Sequence, residues 1–186
     1  MYKRSKRTRS ILLLSLLVGA FSFAFAAKAT ADDSSSCRTF VQSFYNWYVV
    51  KSKNSNAVSA PLDVALRTRA ADFSAELSRR LKEDTEASAK SPGEVVGLDF
   101  DPILNSQEEA TPYKAEKVSF KGNDFLVDVF AIKNGKKSAA PVVQPELSHI
   151  GGKWQFVNFH YKIDKKDDDL LNVLKILRDD RKSTKK

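Results

Sequence analysis

Cysteine is all but missing from this chain of 186 residues. Cys37 is the single example, so no disulfide can form within the molecule. Histidine is nearly as scarce, with only His149 and His160, and the two do not make the paired-histidine metal motif of a helix. The seven glycines form no phosphate-cradling loop, and no serine sits in a nucleophile elbow. These absences remove nucleotide-loop enzymes, helix-borne zinc hydrolases and elbow-type esterases. Long apolar runs are also lacking after the first thirty residues.

What stands at the start is an export signal. Lys3, Arg4, Lys6, Arg7 and Arg9 form a basic head, and residues 11–27 are apolar except for Ser15, Gly19 and Ser22. Ala29-Thr30-Ala31 then offers small residues where a signal peptidase reads. Cleavage is expected after Ala31, with Ala24-Phe25-Ala26 as the second site. The competing reading, an uncleaved anchor, is disfavoured because a bilayer core takes about 20 apolar residues. Cys37 is not a lipoprotein cysteine, because polar residues 33–36 stand against it. It reads as a partly shielded thiol at the start of a helix. The leader holds six of the 31 basic residues and none of the 23 acidic ones. The rest of the chain therefore carries 25 against 23, and the net charge falls from +8 to +2. The basic balance belongs to the leader and is no footprint of nucleic-acid binding.

After the leader, one domain over residues 37–179 is expected, behind a flexible terminus at 32–36 and ahead of a disordered basic tail at 180–186. Phe40, Phe44, Trp47 and Tyr48 recur at helical spacing, with Val41, Tyr45 and Val49 beside them. This predicts a helix with a wide aromatic face. Ser59, Pro61 and Asp63 read as a helix start. Leu62, Leu66, Phe73, Leu77 and Leu81 trace one buried face, with a break expected near residues 68–72. The helical pattern fades into a charged stretch at 82–94. Arg67, Arg69, Arg79 and Arg80 are interleaved with acids, which fits a solvated face. A terminal helix is expected at about 168–179.

Residues 113–163 alternate β-type runs with the turn sequences KGND, NGKK and GGK, the pattern of an antiparallel meander. Both faces of DFLVDVFAIK are apolar apart from Asp128, so both are expected to be covered. Strict alternation in WQFVNFHYKI puts Trp154, Phe156, Asn158 and His160 on one face and Val157, Phe159 and Tyr161 on the other. Pro141 and Pro145 fit poorly in a central strand, so either pairing begins near Glu146, the expectation for Pro141, or the prolines sit at bulges, with Pro145 open between the two. In the stretch between helices and strands, Asp99 and Asp101 would point the same way if extended. Oxygen ligands crowded like this suit calcium, but the spacing is not that of a helix-loop-helix site. Asp99 and Asp101 are thus weak metal candidates. The preferred reading has Phe100, Ile103 and Leu104 dipping into the core while carboxylates cap nearby backbone. No metal or other cofactor is expected.

FVQSFYNWYV, LDFDPILNSQE and GGKWQFVNFHY together resemble a family of exported bacterial proteins, a domain of unknown function, in the nuclear transport factor 2-like (cystatin-like) superfamily. The resemblance covers about residues 38–163. It implies an α+β fold: N-terminal helices packed on a curved antiparallel sheet, with a pocket at the open end of a cone. It carries no catalytic residue over, because this fold hosts many activities.

The expected function is an exported binding module, periplasmic or secreted, holding an unknown small molecule or another exported protein at the cone or its rim. The expected pocket lining is Tyr45, Tyr48, Phe130, Trp154, Phe156 and Asn158, although aromatics at helical spacing are also the commonest core material. The first alternative is an isomerase- or dehydratase-like enzyme using Asp128 and His160, with Tyr45 or Tyr161 as proton donors. The second is an inhibitor or immunity-type protein acting through residues 82–94 and 99–109. No nucleic-acid partner is expected, and the membrane is touched only through the leader. Monomer and homodimer both fit.

Overall fold

Two tight turns set the register of the sheet. Asn134-Gly135 and Gly151-Gly152 all have positive φ, the geometry that two-residue hairpin loops need to match strand twist. The computed structural model describes residues 31–54, 60–91, 93, 96–108, 110–163 and 166–183. Residues 1–30 of the expected leader lie outside these, and its last residue, Ala31, is the first of the described helix. The order is helix α1 (Ala31–Lys53), α2 (Pro61–Thr68), a 3₁₀ turn (Ala70–Asp72) and α3 (Ala75–Ala89), followed by strands. These are β1 (Tyr113–Lys121), β2 (Asp124–Lys133), β3 (Lys136–Lys137), β4 (Gln144–Ile150), β5 (Lys153–Ile163) and β6 (Lys166–Asp169), and α4 (Leu170–Ser183) closes the chain. The sheet is antiparallel, in the order β1-β2-β4-β5-β6 with β3 beside β2. The fold is α+β, helices on a curved open sheet, as the sequence predicts.

The aromatic helix lies on the inner sheet face. Phe44 is its centre, with ring centroids 4.7 Å from Phe156, 5.6 Å from Phe73 and 5.7 Å from Tyr48. Phe156 stacks in turn on Phe159. Each such ring removes about 150–250 Å² from water, so this cluster dominates the apolar burial. The expected break at 68–72 is the 3₁₀ turn. Phe73 beyond it forms a bridge to Phe156 on β5, and Ser74 caps α3 by accepting from Leu77 N.

Several expectations need correction. Residues 32–36 are helical rather than loose, with Asp32 and Asp33 in the favourable first turn of α1. Cys37 is therefore well inside a helix and fully buried, not half-shielded. Ala60, not Ser59, stands as the N-cap of α2, and Ser59 lies outside the described residues. Residues 82–89 continue α3, and 180–183 continue α4. Of β2, only Phe125, Val127, Val129 and Ala131 are buried, while Leu126, Asp128, Phe130 and Ile132 keep partial exposure. The outer face of the sheet is thus half-solvated, as antiparallel sheets permit.

Asp84 explains why α3 runs on. Its Oδ2 accepts from Leu98 N (2.9 Å) and its Oδ1 from Arg181 Nη1 (2.6 Å), which also donates to the Val96 carbonyl (2.7 Å). One buried carboxylate so joins α3, α4 and the start of the irregular loop. A Cβ on Gly97 would overlap Ser88 Oγ and lie 2.8 Å from Asp84 Oδ2, so a larger residue there would have to displace the carboxylate that holds this junction.

Two outcomes follow from this packing. Asp84→Ala leaves Arg181 without its acid and is expected to cost about 3 kcal/mol of unfolding free energy, read from the urea midpoint. Burial pushes the Cys37 thiol up to about 12. It should stay unlabelled by a thiol reagent at pH 8 in the native chain and react at once when unfolded.

Candidate functional site

The hollow that a helix and a curved sheet would leave is filled by the chain itself. Residues 101–104, Asp-Pro-Ile-Leu, enter it, and Pro102, Ile103 and Leu104 are buried. Four tyrosine hydroxyls meet them one by one. Tyr48 donates to Asp101 Oδ2 (2.9 Å), Tyr161 to the Pro102 carbonyl (2.7 Å), Tyr45 to the Ile103 carbonyl (2.8 Å) and Tyr113 to the Leu104 carbonyl (3.1 Å). Asp101 Oδ1 accepts from the N–H groups of Ile103 and Leu104, a turn that folds the loop on itself. Asp101 N–H reaches the Ser106 carbonyl, and Asn105, at φ 48°, donates from its amide to the Val142 carbonyl.

The electrostatics follow from burial. Desolvation raises the pKa values of Tyr45, Tyr48 and Tyr161 well above the phenolic range and that of Tyr113 to about 12. Tyr45 and Tyr161, considered as proton donors, are committed to backbone carbonyls. Burial also pushes the Asp101 carboxyl up, against the opposing pull of its three donors. Its two oxygens are taken by protein, and Asp99 is exposed. Among the described residues no three His, Cys, Asp or Glu side chains gather to hold a metal. Phe100, Ile103 and Leu104 pack into the core, as the sequence reading prefers.

The six expected pocket residues do not converge. Tyr45, Tyr48 and Phe156 have 0–1% exposure and belong to the core. Phe130, on the outer face, lies under the Lys137 ammonium, 4.4 Å from its ring centroid. Trp154 packs edge-on to Phe125, and its indole N–H donates to Ser36 Oγ. Asn158 ties β5 to α4, donating to Asp169 Oδ1 (2.9 Å) and accepting from Leu171 N (3.2 Å).

A β-bulge accounts for the dispersal. Leu147 pairs with Phe156, but Glu146 pairs with Asn158, so Val157 is an extra residue. Beyond it the inward set becomes Phe159 and Tyr161, and Asn158 and His160 move to the outer face. Pro145, buried in β4, sits where the ladder to β2 lapses between Leu126↔Glu146 and the Val129↔Val143 bridge. Its missing N–H is harmless there.

Asp128 and His160 are both on the outer face but hold separate partners. Gln144 Nε2 donates to Asp128 Oδ1 (2.6 Å). His160 Nε2 lies 2.6 Å from Glu146 Oε2, which also meets Lys121 Nζ at 3.2 Å. They do not share an enclosed pocket. Glu146 and Gln144, missed by the sequence reading, are the groups that satisfy them. The i, i+2 spacing along QPE was the available signal.

Open grooves lie elsewhere. One of about 410 Å³ runs between α1 and the edge strand β1, lined by Arg38, Thr39, Gln42, Ser43, Asn46 and Ala115. Another of about 320 Å³ is lined by Asp63, Leu66, Arg67, Lys82, Thr85 and Glu86, whose charges balance. In the first, Gln42 acts as a substitute peptide group, accepting from Ala115 N (2.8 Å) and donating to the Tyr113 carbonyl (3.0 Å). It closes part of an otherwise open sheet edge. Compared with protein-family models, curated proteins and solved structures, the chain matches none of them.

The raised Asp101 pKa has a stability consequence of definite sign. The folded chain holds this proton more tightly than the unfolded chain, so this group's contribution to stability falls as pH rises from the ordinary carboxylate range through the raised value. Asp101→Asn removes that dependence while keeping the shape. Its stability relative to the parent should improve as pH rises from about 4 towards 7, measured by urea unfolding at each pH. An unchanged difference would contradict the assignment.

Proposed function

We propose that the chain is an exported binding module of the nuclear transport factor 2-like (cystatin-like) kind that holds its ligand at the surface, beside the cone rather than inside it. One observation carries this reading: residues 101–104, tied down by four tyrosines, occupy the hollow, while a groove of about 410 Å³ stays open between α1 and β1. That volume is within the range of small-molecule sites, about 300–1,000 Å³. The lining suggests the ligand class. Arg38 and Ser43 make no hydrogen bond with described residues, and both are exposed on one helix face with Asn46. A guanidinium next to a hydroxyl and an amide suits a small polar molecule bearing a carboxylate. The leader pattern in residues 1–31 supports export. The separate partners of Asp128 and His160 weigh against the isomerase-like alternative.

The test is a thermal-shift screen of residues 32–186 against amino acids, sugar acids and dipeptides. A selective ligand should raise the melting temperature. Arg38→Ala and Ser43→Trp, which fills the groove, should abolish the shift, while His160→Ala leaves it. A shift that survives both groove changes, or a screen with no carboxylated hit, would overturn the reading.

A further inference from the structure

From the end of the fold where the described chain begins, we infer that the tips of two hairpins rest in the interfacial layer of a lipid bilayer. The pairing of Phe125 with Leu147 brings the β1–β2 and β4–β5 turns to the same end of the sheet. Two of the few exposed large apolar side chains stand there: Phe120, 52% exposed, and Ile150, 48% exposed. From Phe120 a row of rings continues inward on one face of the sheet, while Ile150 stands at the same end on the other face. Phe120 meets Phe125 at 4.9 Å, Phe125 meets Trp154 at 4.8 Å and Trp154 meets His149 at 4.7 Å. Lys121 and Lys153, both exposed, flank the two tips. Amphipathic rings, a wedge of apolar side chains and lysines at the margin are what an interfacial contact uses.

The adjoining chain favours a bilayer over other occupants. Trp154 Nε1 donates to Ser36 Oγ, so α1 enters the fold at this end. Ala31 is five residues upstream, about 8 Å along a helix. Before it the sequence carries the apolar run 11–27 and its basic head. A segment suited to membranes thus joins the domain beside its exposed aromatic tips. Asp32 and Asp33 stand in the first turn of α1. The contact therefore relies on apolar insertion more than on charge, and anionic lipid should strengthen it only modestly. The patch shares no residue with the α1–β1 groove; the leader sets the tips against the bilayer, and Phe120 and Ile150 keep them there after cleavage.

The chain has two tryptophans, so Trp47→Phe leaves Trp154 as the only reporter. Among the described residues the core lies between Cys37 and Leu174, so residues 32–186 contain all of it. Both this chain and the full chain would be mixed with vesicles of phosphatidylcholine, alone or with phosphatidylglycerol, containing brominated lipid. Trp154 emission should shift to the blue and be quenched in both chains. Phe120→Asp and Ile150→Asp should each weaken vesicle binding of residues 32–186 roughly tenfold without changing the circular-dichroism melt. If either variant unfolds, the Trp154 quenching decides alone. The inference fails if residues 32–186 stay in the supernatant, or if the full chain binds while Trp154 is unquenched. It also fails if Phe120→Asp changes the oligomeric state without lipid, which would make the patch a contact between copies.

Discussion

Four phenolic hydroxyls meeting four consecutive residues of one loop are the constraint on which the rest of this structure depends. The Asp-Pro-Ile-Leu segment brings three backbone carbonyls and a carboxylate into an apolar interior, where an unpaired acceptor costs about 1–3 kcal/mol. Tyr45, Tyr48, Tyr113 and Tyr161 supply the missing donors from α1, β1 and β5. The helix and both arms of the sheet are thereby fastened to a single insert. Remove it and the ring cluster would face a polar cavity. With it, Pro102, Ile103 and Leu104 fill the space under the tyrosines, and the described open grooves lie on the exterior.

The same arrangement divides the molecule by role. One end holds the loop, and the other carries the hairpin tips and the start of α1. Along the side, Gln42 stands in for a strand neighbour and leaves a polar groove beside it. The outer sheet face spends its polar groups on one another, with Asp128 on Gln144 and Glu146 shared between His160 and Lys121. Such internally satisfied pairs fix strand register and side-chain direction.

Much of the fold was legible in order along the chain. Helical spacing marked α1 and the face shared by α2, the 3₁₀ turn and α3, and turn residues marked the hairpins. The candidate site was far less legible, and the reason lies in particular residues. Val157 is one extra residue opposite β4, and it reversed the face assigned to Asn158 and His160. Nothing in an alternating pattern announces a bulge, because its cause is the partner strand. Asp84 and Arg181 looked like members of solvated charge runs. They are 97 positions apart, and only packing α4 against α3 makes them a pair.

The sequence by itself determined what is local: the leader pattern, the helices and the hairpin strands though not β6, the turns, and a supply of aromatics too large for one sheet face. Those follow from periodicities of a few residues and from the backbone preferences of glycine, proline and asparagine. Only the tertiary structure decided what those aromatics do. Their hydroxyls find acceptors between 9 and 59 residues away in the chain, and which acceptor each one meets depends on how helix and sheet close over the loop.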